Sequence, residues 1–268
     1  MMRAFAAWKW SLGVVARSYR TVVVLAALIA LWVFLVYEWL GLPESSALLL
    51  ILALLWVLVQ LLATVVILGA TVSGAADAAD TDRWNLPLRS LWTLGRKQMV
   101  STLMFTILSF VLVWLCLAVF GWINGHSVEV ASFLTFHLQK PVSYMLIDQA
   151  FRAIELILWA VVGGFLLSLF ITLLRGGWGA AGKQSWKLLA GCAYRAPFLA
   201  SLLSVVVFGG IAYELASWHP KAAAGFWDYT QMIVRFSLAL ILISAGGLFW
   251  SLSLARLTLP NSKPSGTC

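Results

Sequence analysis

Charge is what this chain is shortest of. Only 10% of its residues are Asp, Glu, Lys or Arg, while 62% are hydrophobic. A water-soluble domain carries nearer a quarter charged residues to clothe its surface, so a soluble enzyme or receptor domain is excluded. Acid is scarcer than base: ten Asp and Glu against 18 Lys and Arg leave a formal charge of +8. In a soluble domain that excess would point to nucleic acid. In so apolar a chain it has a topological cause, and no nucleic-acid partner is expected. The three cysteines, Cys116, Cys192 and Cys268, are too scattered for a disulfide framework. The three histidines, His126, His137 and His219, have no metal-ligand spacing. No Walker A, G-x-S-x-G or H-E-x-x-H pattern occurs, so neither a metal nor another cofactor is expected. A polar linker is missing as well, and residues 1–268 read as one integral membrane domain.

What the chain has instead is long apolar runs. Uncharged windows extend over Thr21–Tyr37, Ser45–Ala76, Gln98–Gly125, Leu156–Leu174, Ala196–Tyr213 and Phe236–Ala255. A helix needs about 20 residues to cross a hydrocarbon core of about 30 Å. Trp39 and Leu40 extend the shortest window; the Ser/Gly/Ala-rich end of the longest is expected to emerge on the inner side. Strands of an outer-membrane barrel would alternate apolar and polar residues, and these runs do not. A cleaved signal peptide over the first window would need small residues where Tyr37-Glu38-Trp39 stands, so a retained span is preferred. The expected fold is all-α: a polytopic bundle of six transmembrane spans.

Orientation follows from the basic residues. Fourteen of the 18 Lys and Arg residues fall in 1–20, 77–97, 175–195 and 256–268. Only Lys140, Arg152, Lys221 and Arg235 fall on the other side. The positive-inside rule then predicts cytoplasmic N- and C-termini. Seven acids, Glu38, Glu44, Glu129, Asp148, Glu155, Glu214 and Asp228, lie on the outer side. Tryptophans cluster at both boundaries, with Trp8, Trp10, Trp92 and Trp178 inside and Trp39, Trp122, Trp218 and Trp227 outside. An indole is apolar with one N–H donor and favours the headgroup level.

A short mixed segment precedes each odd-numbered span. Trp10-Ser11-Leu12-Gly13 leads to Arg17 and Arg20, Trp92-Thr93-Leu94-Gly95 to Arg96 and Lys97, and Trp186-Lys187-Leu188-Leu189 to Arg195. On a helix Phe5, Trp8, Leu12 and Val15 share one face, as do Leu88, Trp92, Gly95 and Met99. These segments read as interfacial amphipathic helices on the cytoplasmic side, bound through basic faces to anionic lipid headgroups. Simple inward extensions of the spans are the alternative. Three units result, 4–72, 86–175 and 183–256, by duplication or by general membrane grammar. Gly163-Gly164, Gly209-Gly210, Gly246-Gly247 and Gly121-x-x-x-Gly125 are candidate close-packing points.

Candidate sites are few. Gln60 and Thr64 are the main polar groups near a midplane; interhelical hydrogen bonding is the plainer reading, substrate contact the sharper one. At the outer ends, Arg152 and Glu155 have the i, i+3 spacing of a helical pair, and Glu214 and Arg235 close spans five and six. They would form either an interfacial ion-pair ring or, with Asp148 and Asp228, a vestibule. Asp77, Asp80 and Asp82 spell D-x-x-D-x-D after span two. Lipid-modifying enzymes hold Mg²⁺ with such motifs. No second acidic cluster follows on that side, so an Ala-rich helix end with solvated carboxylates is expected. A short helix is expected over Val128–Leu138.

Two stretches carry a family likeness: Leu86–Trp114, with Ser90-Leu91-Trp92-Thr93-Leu94, and Ser185–Leu203, with Trp186-Lys187-Leu188-Leu189-Ala190-Gly191. Both resemble the amphipathic entries of bacterial six-span proteins similar to the membrane domain attached to some glycerophosphodiester phosphodiesterases. The resemblance implies a bacterial cytoplasmic membrane and no catalytic residue. The expected role is that of a non-enzymatic membrane protein assisting a membrane-protein partner. The alternatives are a transporter or permease subunit with a site in the bundle, and an intramembrane lipid-modifying enzyme.

Overall fold

In the computed structural model the described residues, 2–41, 46–217 and 226–258, are helical apart from short connections. Glu44, Trp218, His219, Lys221 and Cys268 lie outside them. The helices are α1 (Met2–Arg17), α2 (Tyr19–Leu40), α3 (Ala47–Asp80), α4 (Leu88–Lys97), α5 (Met99–Gly125), α6 (Ser127–Leu138), α7 (Tyr144–Tyr194), α8 (Ala196–Leu203), α9 (Gly210–Ser217) and α10 (Phe226–Thr258). A π-helical stretch, Ser204–Gly209, joins α8 to α9 within the fifth long helix. Six of these segments are long and apolar enough to cross a membrane, and the chain is a multi-pass membrane protein.

Packing is unequal along the bundle. At the end that carries α1 and α4, called the basic end below, helices meet through small residues. Ala70, Ser73, Gly74, Ala75, Ala78 and Ala79 of α3 are buried. They face Leu248, Leu252 and Leu254 of α10 and Phe170, Ile171 and Leu173 of α7 within one core. Phe105 of α5 stacks on Phe170 with ring centroids 4.6 Å apart. Small side chains let backbones approach, and contact area then replaces the hydrophobic drive that lipid cannot supply. Toward the far end the apolar side chains turn outward: Leu31 to Leu40 of α2, Leu48 to Leu58 of α3, and Phe110 to Trp122 of α5 are largely exposed. Outward-facing Leu and Val suit hydrocarbon surroundings, so no further protein layer is needed there.

The first two segments that precede odd spans are α1 and α4, and each packs on protein through a face other than its anticipated membrane face. In α1 the buried stripe is Ala4, Ala7, Trp10, Ser11 and Val14, seated on α10 and α8. Phe5 and Leu12, on the anticipated membrane face, are 69% and 50% exposed. In α4, Leu91 and Gly95 are buried against α3, whereas Leu88 and Trp92 are exposed. A Cβ on Gly95 would sit 3.1 Å from the Ala70 nitrogen, and one on Gly74 would collide with Leu91. Both helices therefore dock on protein through one face, in which small residues set the approach, and the opposite bulky residues are left for other surroundings.

The third segment is also helical. It is the second arm of α7, which breaks at Gly177 with φ 71° and ψ −180°, a conformation open almost only to glycine. Beyond the break the chain folds back, and buried Cys192 reaches Ser168, 3.6 Å away. Cys192, expected in an inner loop, is thus part of the packed bundle. Of the glycine pairs, Gly163 lies under Trp250, Gly164 under Ser201 and Gly246 under Phe208. Gly121, Gly125, Gly209, Gly210 and Gly247 have open space where a Cβ would be, so the packing role expected of them is not met. Gly209 and Gly210 instead coincide with the end of the π-helical stretch.

Candidate functional site

The densest polar chemistry lies where α3 ends. Asp82 takes a left-handed conformation, φ 52°, and the Arg83 N–H donates back to the Ala78 carbonyl at 3.0 Å. That six-to-one bond is the helix-ending geometry of a left-handed C-terminal residue. It leaves three carboxylates, Asp77, Asp80 and Asp82, beside the negative end of the α3 dipole, a poor place for anions. Three arginines offset this. Arg83 pairs with Asp77 at 3.3 Å, Arg175 with Asp80 at 3.2 Å and Arg256 with Asp82 at 3.2 Å. Arg175 also donates to the Ala76 carbonyl, and Arg256 to the Ala79 carbonyl at 3.1 Å. The expected Ala-rich end with solvated carboxylates is found in part: Asp80 and Asp82 are exposed, but the alanines are core and each carboxylate holds an arginine.

Around this centre the loop after α3 is fastened to α1 and α2. Ser18 Oγ donates to Asn85 Oδ1 at 3.1 Å and accepts from Leu86 N–H at 3.0 Å, while Thr21 Oγ1 donates to the Leu86 carbonyl at 2.6 Å. Arg17 covers the Trp84 ring and Arg256 the Trp10 ring, each at 5.1 Å. Ser253 of α10 donates to Ser11 of α1 at 3.1 Å. On the other side a cleft of ≈ 400 Å³ opens between α3, the start of α5 and the first arm of α7. Its walls are Ser73, Asp77, Asp80, Gln98 and Arg175, with Ala76, Leu94 and Leu174 as apolar neighbours.

The residues singled out from sequence fall elsewhere. Gln60 Nε2 donates to the Leu35 carbonyl at 3.2 Å, beside Trp56 Nε1 at 2.8 Å on the same oxygen. Trp32 Nε1 and Thr64 Oγ1 both donate to the Gln60 carbonyl, at 3.3 and 2.9 Å. This is a seam between α2 and α3, the gluing role. Thr64 also borders an interior cavity of ≈ 490 Å³ among α2, α3, α5, α7 and α10, which Gln60 does not line. That cavity's wall carries Thr, Ser and Trp but no charged residue.

At the far end the expected Arg152–Glu155 pair is absent. Arg152 reaches one turn back to Asp148 at 2.9 Å, the i, i+4 partner. Glu155 instead accepts from Asn124 Nδ2 at 3.1 Å and Trp159 Nε1 at 3.3 Å, tying α7 to α5. Arg235 donates to the Gln231 carbonyl of its own helix at 3.4 Å, and Glu214 is exposed on α9. His126 Nδ1 and His137 Nδ1 donate to the Trp122 and Phe133 carbonyls one turn back, at 2.7 and 3.1 Å. Among the described residues no three His, Cys, Asp or Glu side chains converge on a point that could hold a metal ion. The predicted helix near Val128–Leu138 is α6.

Sequence reading missed Arg175 and Arg256 as partners because it counted them only as topological charge. Their positions, closing the fourth and sixth spans at the level where α3 ends, were the available signal. Ser73 and Gln98 carried none. No protein-family model matches this chain, and no curated protein or solved structure does either, so its function has to be read from these residues.

Proposed function

We propose that this chain is a non-enzymatic component of a bacterial cytoplasmic membrane, with cytoplasmic termini, that organises or assists another membrane protein. The carrying observation is the unequal packing. One end is stitched by arginines and serines into a rigid plate, while the far halves of α2, α3, α5 and α10 present apolar side chains outward. A rigid base with outward apolar helices suits lateral association within a bilayer. The basic residues of α1 and α4 would hold the plate at anionic headgroups. The likeness to membrane domains that accompany a phosphodiesterase belongs to this reading, since such a domain serves beside a catalytic partner.

The rivals have less support. A permease for polar solutes needs a hydrated path, and two cavities among the long helices, ≈ 570 and ≈ 490 Å³, have almost wholly apolar walls. A lipid-modifying enzyme would need Asp77, Asp80 and Asp82 to converge on one metal ion, and among the described residues no three His, Cys, Asp or Glu side chains do so. Photo-crosslinkers placed at the exposed Leu54, Phe110 and Ile233 in native membranes test the proposal. Adducts with one discrete membrane protein are expected. Lipid adducts alone, together with solute flux in proteoliposomes, would overturn it in favour of the permease.

A further inference from the structure

The cleft beside the end of α3 has an imbalance of donors and acceptors. Gln98 Nε2 is engaged by the Leu174 carbonyl at 2.8 Å, and Arg175 holds Asp80 through Nη1 and the Ala76 carbonyl through Nη2. The acceptors are not matched in the same way. Asp77 meets Arg83 through Oδ2, and Asp80 meets Arg175 through Oδ1. Asp77 Oδ1, Asp80 Oδ2 and Gln98 Oε1 have no hydrogen-bond partner among the described residues. Ser73 adds the sharpest observation. It is 5% exposed, it lines the cleft, and its Oγ has no hydrogen-bond partner among the described residues. A helical serine ordinarily donates to the carbonyl one turn back, as Thr71 does to Ile67 at 2.7 Å. A buried hydroxyl left without a partner is costly, so such a group calls for an explanation by a missing ligand.

The chemistry that fits is cationic and hydrogen-bond donating. Ser73, Asp77 and Asp80 occupy the last two turns of α3, where the helix dipole is negative and favours positive charge. A metal ion would want six or more oxygens or its own waters. The other wall offers Ala76, Leu94 and Leu174, which suit methylene groups better than hydration water. We infer that this cleft binds a primary ammonium group, held by Asp77, Asp80, Gln98 Oε1 and Ser73 Oγ, with its carbon chain against Leu94 and Leu174. The exposed Arg96 and Lys97 directly precede Gln98 and supply positive charge for a phosphate next to the amine. A phosphatidylethanolamine headgroup and a free aminoalcohol both carry the required group. The site goes beyond the partner-assisting role proposed above and does not depend on it.

The test uses the full chain in nanodiscs, with thermal stability and lipid retention in native mass spectrometry as readouts. Probes are phosphatidylethanolamine, phosphatidylcholine and phosphatidylglycerol discs, and free ethanolamine, tetramethylammonium or Mg²⁺ added to phosphatidylglycerol discs. Phosphatidylethanolamine retained over phosphatidylcholine, with no response to free ethanolamine, assigns a lipid headgroup; a response to ethanolamine but not tetramethylammonium assigns a soluble amine. In either case Asp77→Asn is expected to lower affinity about tenfold, the scale of one hydrogen bond to a charged group. Ser73→Ala is expected to weaken binding while leaving the unliganded protein as stable as before, since its hydroxyl holds no partner to lose. Equal binding of primary and quaternary amines, an equal effect of Mg²⁺, or undiminished binding by both variants would overturn the inference.

Discussion

Arg175 and Arg83 make ion pairs of nearly equal length, yet their surroundings give them different weights. Arg83 is exposed and Asp77 half-buried at the surface, where screening and side-chain entropy leave a pair worth about 0–1 kcal/mol. Arg175 is the least exposed of the three arginines and also carries the Ala76 carbonyl, an orphan acceptor at the end of α3. Arg83→Gln is therefore expected to leave thermal unfolding almost unchanged. Arg175→Gln is expected to cost about 1.5–3 kcal/mol, the range of hydrogen bonds to charged groups. Calorimetric unfolding of both variants in the same detergent checks the contrast, and equal losses would refute it. None of this could be read from the chain alone. Asp80 was visible as part of an acidic motif, but the arginine donor to Ala76 stands 99 residues away, and that to Ala79 stands 177 away.

At the scale of the element, sequence served well for spans and poorly for faces. Apolar length is a property of each segment taken singly, so all six long helices were legible. Which face of α1 packs is a property of its neighbours. Phe5, Trp8, Leu12 and Val15 were legible as one outward face because they are bulky and share a helical stripe. The protein-facing stripe, Ala4, Ala7, Trp10, Ser11 and Val14, was not, because only the neighbouring α10 and α8 decide it. The third basic segment was legible as a helix, but the glycine that reverses the chain ahead of it was not. Gly177→Ala forces a side chain into φ 71° and is expected to destabilise the fold by about 1–3 kcal/mol. It is also expected to move the second arm away from Ser168. A thiol-reactive probe reports that directly, since Cys192, now buried, should gain reactivity while Cys116 does not change. No gain at Cys192 would mean that the arm holds without its hinge.

For the whole molecule, the contrast between a stitched end and outward-facing far halves predicts a gradient of order. Spin-label pairs across the basic end, such as Lys9 with Lys97, should give narrow distance distributions. Pairs across the far halves, such as Val33 with Ile233, both exposed, should give broad ones. Equally narrow distributions at both ends would count against the unequal packing that carries the proposed function. Single-cysteine variants test orientation, since a membrane-impermeant thiol reagent should reach Lys9→Cys and Lys140→Cys from opposite sides.

The contact between α1 and α10 has a bearing on how the molecule is made. Ser11 and Ser253 are 242 residues apart, and Arg256 closes over Trp10 while holding Asp82. Spans enter the bilayer in the order of their synthesis, but α1 has no α10 surface to settle on until the sixth span arrives. Through that interval Asp82 and the Ala79 carbonyl also wait for their cation. Insertion can therefore proceed helix by helix, while the basic plate assembles only when the sixth span is in place. An incomplete chain would display unpaired acid and an undocked amphipathic helix, the kind of surface that membrane quality control can recognise.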